Sequence, residues 1–222
     1  GASVVDNVDS SVTLITSNPV NVNSAATYTV TYDATDAALN PADQVTRTVT
    51  VTADITPPVV TAPASITVAA TNTSGTLASQ AAIVAFLNGA SASDNFDLVN
   101  PTVTHNAPST FPLGPTPVTF SATDSAGNTG TAQATVTITD QTAPVITRTG
   151  SPSVSIELGT PYADEGASVV DNVDSLVTLI TNNPVNVNIA ATYTVTYDAT
   201  DAAGNPADQV TRTVTVTADI TP

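Results

Sequence analysis

The sequence predicts an all-β chain built from small β-sandwich domains in tandem, with one short helix in the middle domain. Three observations predict it. Residues 1–57 recur at 166–222 and differ only at Ser11/Leu176, Ser17/Asn182, Ser24/Ile189 and Leu39/Gly204. Repetition at this period marks an array of separately folding units joined end to end. Apolar residues alternate with threonine at period two, as half-buried strands require. Proline- and glycine-bearing turns separate many short strands, and only one segment has helical spacing.

The domains follow from a second, weaker repeat. Asp54-Ile-Thr-Pro-Pro-Val59 and Asp140-Gln-Thr-Ala-Pro-Val145 share the form D-x-T-x-P-V, and Asp219 opens a third instance. Proline stiffens each of these junctions into a short semi-rigid linker. They divide the chain into 1–54, 55–140 and 141–222. In the middle domain Val118, Phe120 and Ala122 alternate, then Ala134, Val136 and Ile138. In the last domain Tyr193, Val195, Tyr197 and Ala199 do so, then Val214 and Val216. Each pair reads as antiparallel strands closed by a turn, at 124–128 and 201–205, whose glycine supplies positive φ. Residues 79–88 carry Ile83, Phe86 and Leu87 at i, i+3, i+4, which predicts a helix with Ser79 as N-cap and Gly89 as the residue beyond its end.

Composition narrows the function. The 222 residues carry 19 acids against three bases, all arginine, for a net charge of −16. Such a surface argues against nucleic acid and anionic membranes, which offer no cations to pair with. It suits a medium rich in screening or divalent cations. With no cysteine, stability comes from packing, with or without metal, rather than from disulfides. Domains of about 80 residues bury only ~60–65% of their unfolded surface, and at 4% aromatic content their cores are light. No apolar run reaches the ~20 residues of a membrane-spanning helix, so no membrane is expected within this segment.

Both domain types close on a Y/F-x-A-T-D-x-A-G-N hairpin, Phe120 to Asn128 and Tyr197 to Asn205. This resembles the closing hairpin of bacterial immunoglobulin-like surface repeats. Residues 57–139, with Pro57-Pro-Val-Val-Thr-Ala-Pro, Ser-Asp94-Asn95 and the Asp124–Asn128 turn, resemble the hyalin repeat (HYR) family. Residues 140–219, with Ile-Glu157-Leu-Gly-x-Pro-Tyr162-x-Asp164-x-Gly166 and Asp-Asn-Val-Asp174, resemble the bacterial surface-protein Ig-like repeat. The resemblance implies immunoglobulin-like sandwiches in an extracellular, cell-surface stalk or adhesin segment that is not an enzyme.

Most aspartates fall into three recurring motifs. These are the linker (Asp54, Asp140, Asp219), D-N-x-D (Asp6 and Asp9, Asp94 and Asp97, Asp171 and Asp174) and the final hairpin (Asp36, Asp124, Asp201). In an immunoglobulin-like sandwich an early inter-sheet loop and the last hairpin share the pole where the chain arrives. Carboxylates and an asparagine carbonyl, without histidine or cysteine, favour a hard cation, calcium before magnesium. The expected ligands are Asp54, Asp94, Asp97 and Asp124 for the middle domain, and Asp140, Asp171, Asp174 and Asp201 for the last. The competing reading needs no ion, because Asp and Asn cap turns through backbone amides.

Residue 1 corresponds to Gly166, so the first copy lacks a counterpart of residues 140–165. The favoured expectation is a window cut from a longer array whose partners are neighbouring copies. The alternative is donor-strand completion by another molecule. Three functional classes remain. The leading one is a passive stalk or filament whose stiffness is set by proline linkers and junction calcium. Next is a module binding carbohydrate or a host protein, and third an accessory region of a secreted enzyme. His105, the only histidine, has no nucleophile motif beside it. Near-identical copies favour the spacer.

Overall fold

A computed structural model describes residues 1–218, which leaves the linker residue Asp219 outside the described residues. The first segment forms β1 (Leu14–Ser17), β2 (Ala26–Ala34) and β3 (Val45–Val51), an antiparallel sheet in the order β1-β2-β3. The middle domain contains β4 (Val59–Thr61), β5 (Ile66–Ala69), β6 (Thr76–Leu77), α1 (Ala81–Leu87), β7 (Ser91–Ser93), β8 (Val103–His105), β9 (Thr110–Phe111), β10 (Gly114–Thr123) and β11 (Thr129–Thr139). The last contains β12 (Val145–Arg148), β13 (Ser153–Glu157), β14 (Ala167–Val170), β15 (Leu179–Asn182), β16 (Ala191–Ala199) and β17 (Val210–Thr217).

The two complete domains share one plan. A four-stranded sheet, β5-β11-β10-β8 or β13-β17-β16-β15, is covered by a two-stranded ribbon, β4-β7 or β12-β14. The ribbon's first strand lies across the two central strands of the sheet in each case. β5 pairs parallel with β11, and β13 with β17; every other strand pair is antiparallel. The middle domain adds β6 and α1 between β5 and β7, and β9 between β8 and β10, which pairs with β6 in a ribbon.

Period two explains the cores. Val118, Phe120 and Ala122 on β10 and Ala134, Val136 and Ile138 on β11 are all buried, while the threonines between them face outward or the sheet margin. Ile83 and Phe86 from α1 close the same cluster, with the Phe86 and Phe120 rings edge to face at 5.6 Å. Each such valine, isoleucine or phenylalanine side chain contributes about 1.5–3 kcal/mol by burial. The last domain buries Val195, Tyr197, Ala199 and Val214, with Tyr162 and Tyr193 packed against them.

The helix starts one residue later than the spacing predicts. Gln80, not Ser79, is the N-cap, and its Oε1 accepts from the Ala82 and Ile83 amides at 2.7 and 3.2 Å. The longer side chain reaches back over the first turn, a geometry that composition-based capping rules undervalue. At its far end Gly89 has an ordinary backbone angle rather than a left-handed one. A side chain there would meet the Ala85 and Phe86 carbonyls and Pro63 at 3.3 Å. Both predicted hairpin glycines do take positive φ, 94° at Gly127 and 92° at Gly204.

Candidate metal centre at the domain junctions

Each complete domain gathers one carboxylate from each aspartate motif at its leading pole. Asp54, Asp94 and Asp124 form one group, and Asp140, Asp171 and Asp201 form the other. Within each group one oxygen per residue lies within 4.8 Å of the others.

Local turn chemistry aims these side chains. The linker aspartate uses one oxygen to cap its own turn, Asp54 Oδ1 accepting from Thr56 N at 3.0 Å and Asp140 Oδ1 from Thr142 N at 3.1 Å. The first aspartate of D-N-x-D likewise caps its loop. Asp94 Oδ1 accepts from Phe96 N and Asp97 N, and Asp171 Oδ1 from Val173 N and Asp174 N. The hairpin aspartate is clamped on both oxygens by an asparagine four residues on. Asn128 donates to Asp124 at 2.7 and 2.8 Å, and Asn205 donates twice to Asp201 at 2.7 Å.

The linker is then fastened to the hairpin. Asn128 Nδ2 also donates to the Asp54 carbonyl at 3.2 Å. The Pro58 carbonyl passes so close to Gly130 that a β-carbon there would sit 1.9 Å from it. Only glycine permits that approach.

These arrangements leave the second oxygens of Asp54, Asp94, Asp140 and Asp171 buried and without a hydrogen-bond partner. Orphaned buried oxygens on crowded carboxylates cost free energy unless a cation or donor meets them. The protein supplies no such cation. Arg148 Nη1 donates to the Thr211 carbonyl, Arg212 pairs with Asp164, and Arg47 lies exposed on β3. The donor set therefore fits a hard cation held by oxygen ligands. Burial works against ionisation of Asp124 and Asp201. Hydrogen bonds from Asn128 and Asn205 and from neighbouring turn amides nonetheless hold both carboxyls below the ordinary value, so they are anionic at neutral pH.

The structure does not bring Asp97 and Asp174 into the groups. Asp97 accepts from Ser125 N at 3.1 Å and Ser125 Oγ at 2.5 Å, and Asp174 from Ala202 N at 2.7 Å. They brace the loop against the hairpin. In the first copy Asp6 and Asp9 repeat these contacts, with Asp9 accepting from Ala37 N at 2.8 Å and Asn40 clamping Asp36. His105, in turn, lies on exposed β8, its ring edge-on to Phe120.

A second cluster was not anticipated. Arg212 on β17 is only 1% exposed. It pairs with Asp164, and its other nitrogens donate to the Ser151 and Thr149 carbonyls. Asp164 also accepts from Tyr162 Oη at 2.8 Å and Tyr197 Oη at 2.6 Å. Burial and the adjoining carboxylate push the Tyr197 phenol up to about 12. The only signal in the sequence was an arginine at the same repeat position, 47 and 212, in strands otherwise made of Thr and Val.

Comparison with known families fits this geometry. The HYR domain model matches residues 53–138, and the model for "Bacterial surface protein, Ig-like domain" matches residues 146–216. The chain is a HYR domain in tandem with a bacterial surface-protein Ig-like domain. Hyalin of Lytechinus variegatus is 34% identical over 76% of this chain, and hyalin of Strongylocentrotus purpuratus 33% identical over 88%. The chain spans 33% and 17% of those two proteins. Among solved structures, human protocadherin-24 EC1-2 matches over 72% of this chain and 99% of that one, at 17% identity and a TM-score of 0.35. The lipoprotein BT2262 of Bacteroides thetaiotaomicron matches over 36% and 40%, at 24% identity and a TM-score of 0.30. Among the described residues no helix is long and apolar enough to cross a membrane.

Proposed function

We propose that this HYR/Ig-like tandem is a stretch of an extracellular stalk or filament of a cell-surface adhesin, with its length and stiffness set by short proline linkers and one calcium ion per junction. One observation carries the reading: the same three-aspartate arrangement stands at the leading pole of both complete domains, although their sequences differ. Its supports are the near-identical flanking copies, the domain families, and the hyalin relatives. A spacer works by repeating one mechanical unit, and each junction of this array repeats one ligand set.

Calcium suits the oxygens present. Asp54, Asp94 and Asp124 would hold one ion, and Asp140, Asp171 and Asp201 the other, with water or backbone carbonyls completing a total of about six to eight oxygen ligands. Extracellular calcium modules bind at ~10⁻⁴–10⁻³ M. At about 100-fold excess over such a constant, each occupied site adds ~2.7 kcal/mol to the folded state. That is a large share of the stability of a small domain, and it acts where one domain meets the next.

Isothermal titration of calcium into the EDTA-treated chain tests the metal. The expected result is two bound ions and a melting temperature that rises with calcium. No heat and an unmoved melting temperature would remove calcium from the reading. Electron microscopy of a chain containing several periods tests the stalk, which predicts rods that lengthen in proportion to the number of periods; globules of fixed length would overturn it.

A further inference from the structure

The third residue of D-N-x-D reaches across the junction. Val173 belongs to the last domain by sequence, yet it is 8% exposed and sits in the middle domain's apolar cluster with Val68, Ala70 and Ile138. Beside it Asn172 Nδ2 donates to the Ala70 carbonyl at 3.2 Å. The middle domain's core is thus completed by its neighbour.

The first copy provides a control inside the same chain. Its Asp-Asn-Val-Asp loop makes the same two turn bonds on Asp6, yet Val8 is 84% exposed. The loop alone does not bury the valine; the domain ahead of it does.

In the middle domain the same position is Phe96, 56% exposed beside an open crevice of about 390 Å³ lined by Val22, Asn23, Val51 and Thr52 of the first copy. In the last domain the counterparts of Val22 and Thr52 are Val187 and Thr217. Their carbonyls accept from the Gly159 and Leu158 amides, so the turn at 158–159 covers that pole. At the first copy's pole the crevice beside Phe96 stands open.

We propose that the third residue of D-N-x-D is a plug matched to the domain ahead: valine for the HYR pole beside Ile138 and Leu113, phenylalanine for the Ig-like pole beside Leu158. The alternation of the two domain types is then enforced at each joint by size. The middle and last domains form one cooperative unit rather than two. Size selection follows from close packing, because an enlarged side chain in a filled core forces its surroundings apart. The proposal deepens the stalk reading but needs no cation. A silent calcium titration leaves it standing, and its failure leaves the calcium site untouched.

The test uses the whole chain, with and without calcium. Val173→Phe and Val173→Asp are expected to speed amide exchange at Ala70 and Ile138 by about tenfold or more, as loss of a core contact opens a cooperative unit. Val173→Ala is expected to fall between these and the parent. The chain lacks cysteine, so labels at Thr131→Cys and Thr194→Cys report the distance between the domains; its distribution should broaden in the same order. Protection retained on β16 and β17, well above that of an unfolded chain, shows that the last domain still folds. Val8→Phe should change none of these readings. Parent-like exchange and distances in Val173→Phe, or an equal effect of Val8→Phe, would overturn the proposal. Extending the chain past Pro222 with a further copy of residues 58–139 tests the other half. The added phenylalanine should protect the Leu158 and Gly159 amides and its replacement by valine should expose them; equal protection in both would sink the size rule.

Discussion

Leu39 shows how much one side chain decides at a turn. It replaces Gly204 of the second copy and is held at φ 67° with its side chain 81% exposed. The left-handed conformation costs a non-glycine residue about 1–2 kcal/mol. Leu39→Gly should therefore stabilise the first copy by ~1 kcal/mol, part of the gain being lost to the more flexible unfolded chain. A denaturant series read on Tyr28 and Tyr32 fluorescence checks this. At the junction, Asp171→Asn and Asp94→Asn should each remove one calcium from the titration and leave the other, because each retains its turn-capping oxygen and loses only the charge. Loss of both ions from either variant would mean that the two groups are not separate sites.

At the scale of elements, the segment 149–164 is tied to β17 by Arg212. Breaking a buried ion pair by removing one partner strands the other, at a cost of about 3–5 kcal/mol. Arg212→Ala should be costly in this way, whereas Arg47→Ala at the exposed equivalent should be near neutral. Thermal melts of the two variants give the comparison. Burial opposes ionisation of Asp164, but the Tyr197 and Tyr162 hydroxyls and the Arg212 charge hold its carboxyl below the ordinary value. A depressed carboxyl stabilises above its unfolded pKa, so this contribution is lost as pH falls below about 4. Tyr197 has the opposite sign. Its raised pKa stabilises fully below about 10 and is lost as pH climbs toward about 12. The last domain should therefore be most stable across the neutral range, with Arg212→Ala flattening the acid edge of a pH–melting profile, where the arginine's charge lowers Asp164, and leaving the alkaline edge in place, because the same charge opposes the rise of Tyr197. Strands and hairpins were legible because alternation and turn chemistry act within a few residues. So was the meeting of Asp54, Asp94 and Asp124, because recurring motifs shared one known pole. Arg212 and Val173 were not, since both are buried by residues far off in sequence or in another domain. The contacts of Asp97 and Asp174 with Ser125 and Ala202 were not legible, because spacing reveals which carboxylates are near a pole, not which amide each one faces.

At the scale of the whole molecule, the proposed calcium ions, at ~2.7 kcal/mol for each occupied site, would make the cation a condition of the fold rather than an ornament. Chelation should lower the melting temperature of the middle and last domains, whose linker carboxylates Asp54 and Asp140 belong to the two groups. Domain-resolved exchange would show the difference. One further consequence follows from the parallel seam between β13 and β17. Ser153 through Glu157 lies alongside Thr213 through Thr217 in register. Tension between the ends of that domain drags these strands past each other lengthwise, so the rungs share the load and rupture together instead of peeling one at a time. In an optical-trap pull the last domain should yield at a high force in a single event rather than in a series of small steps.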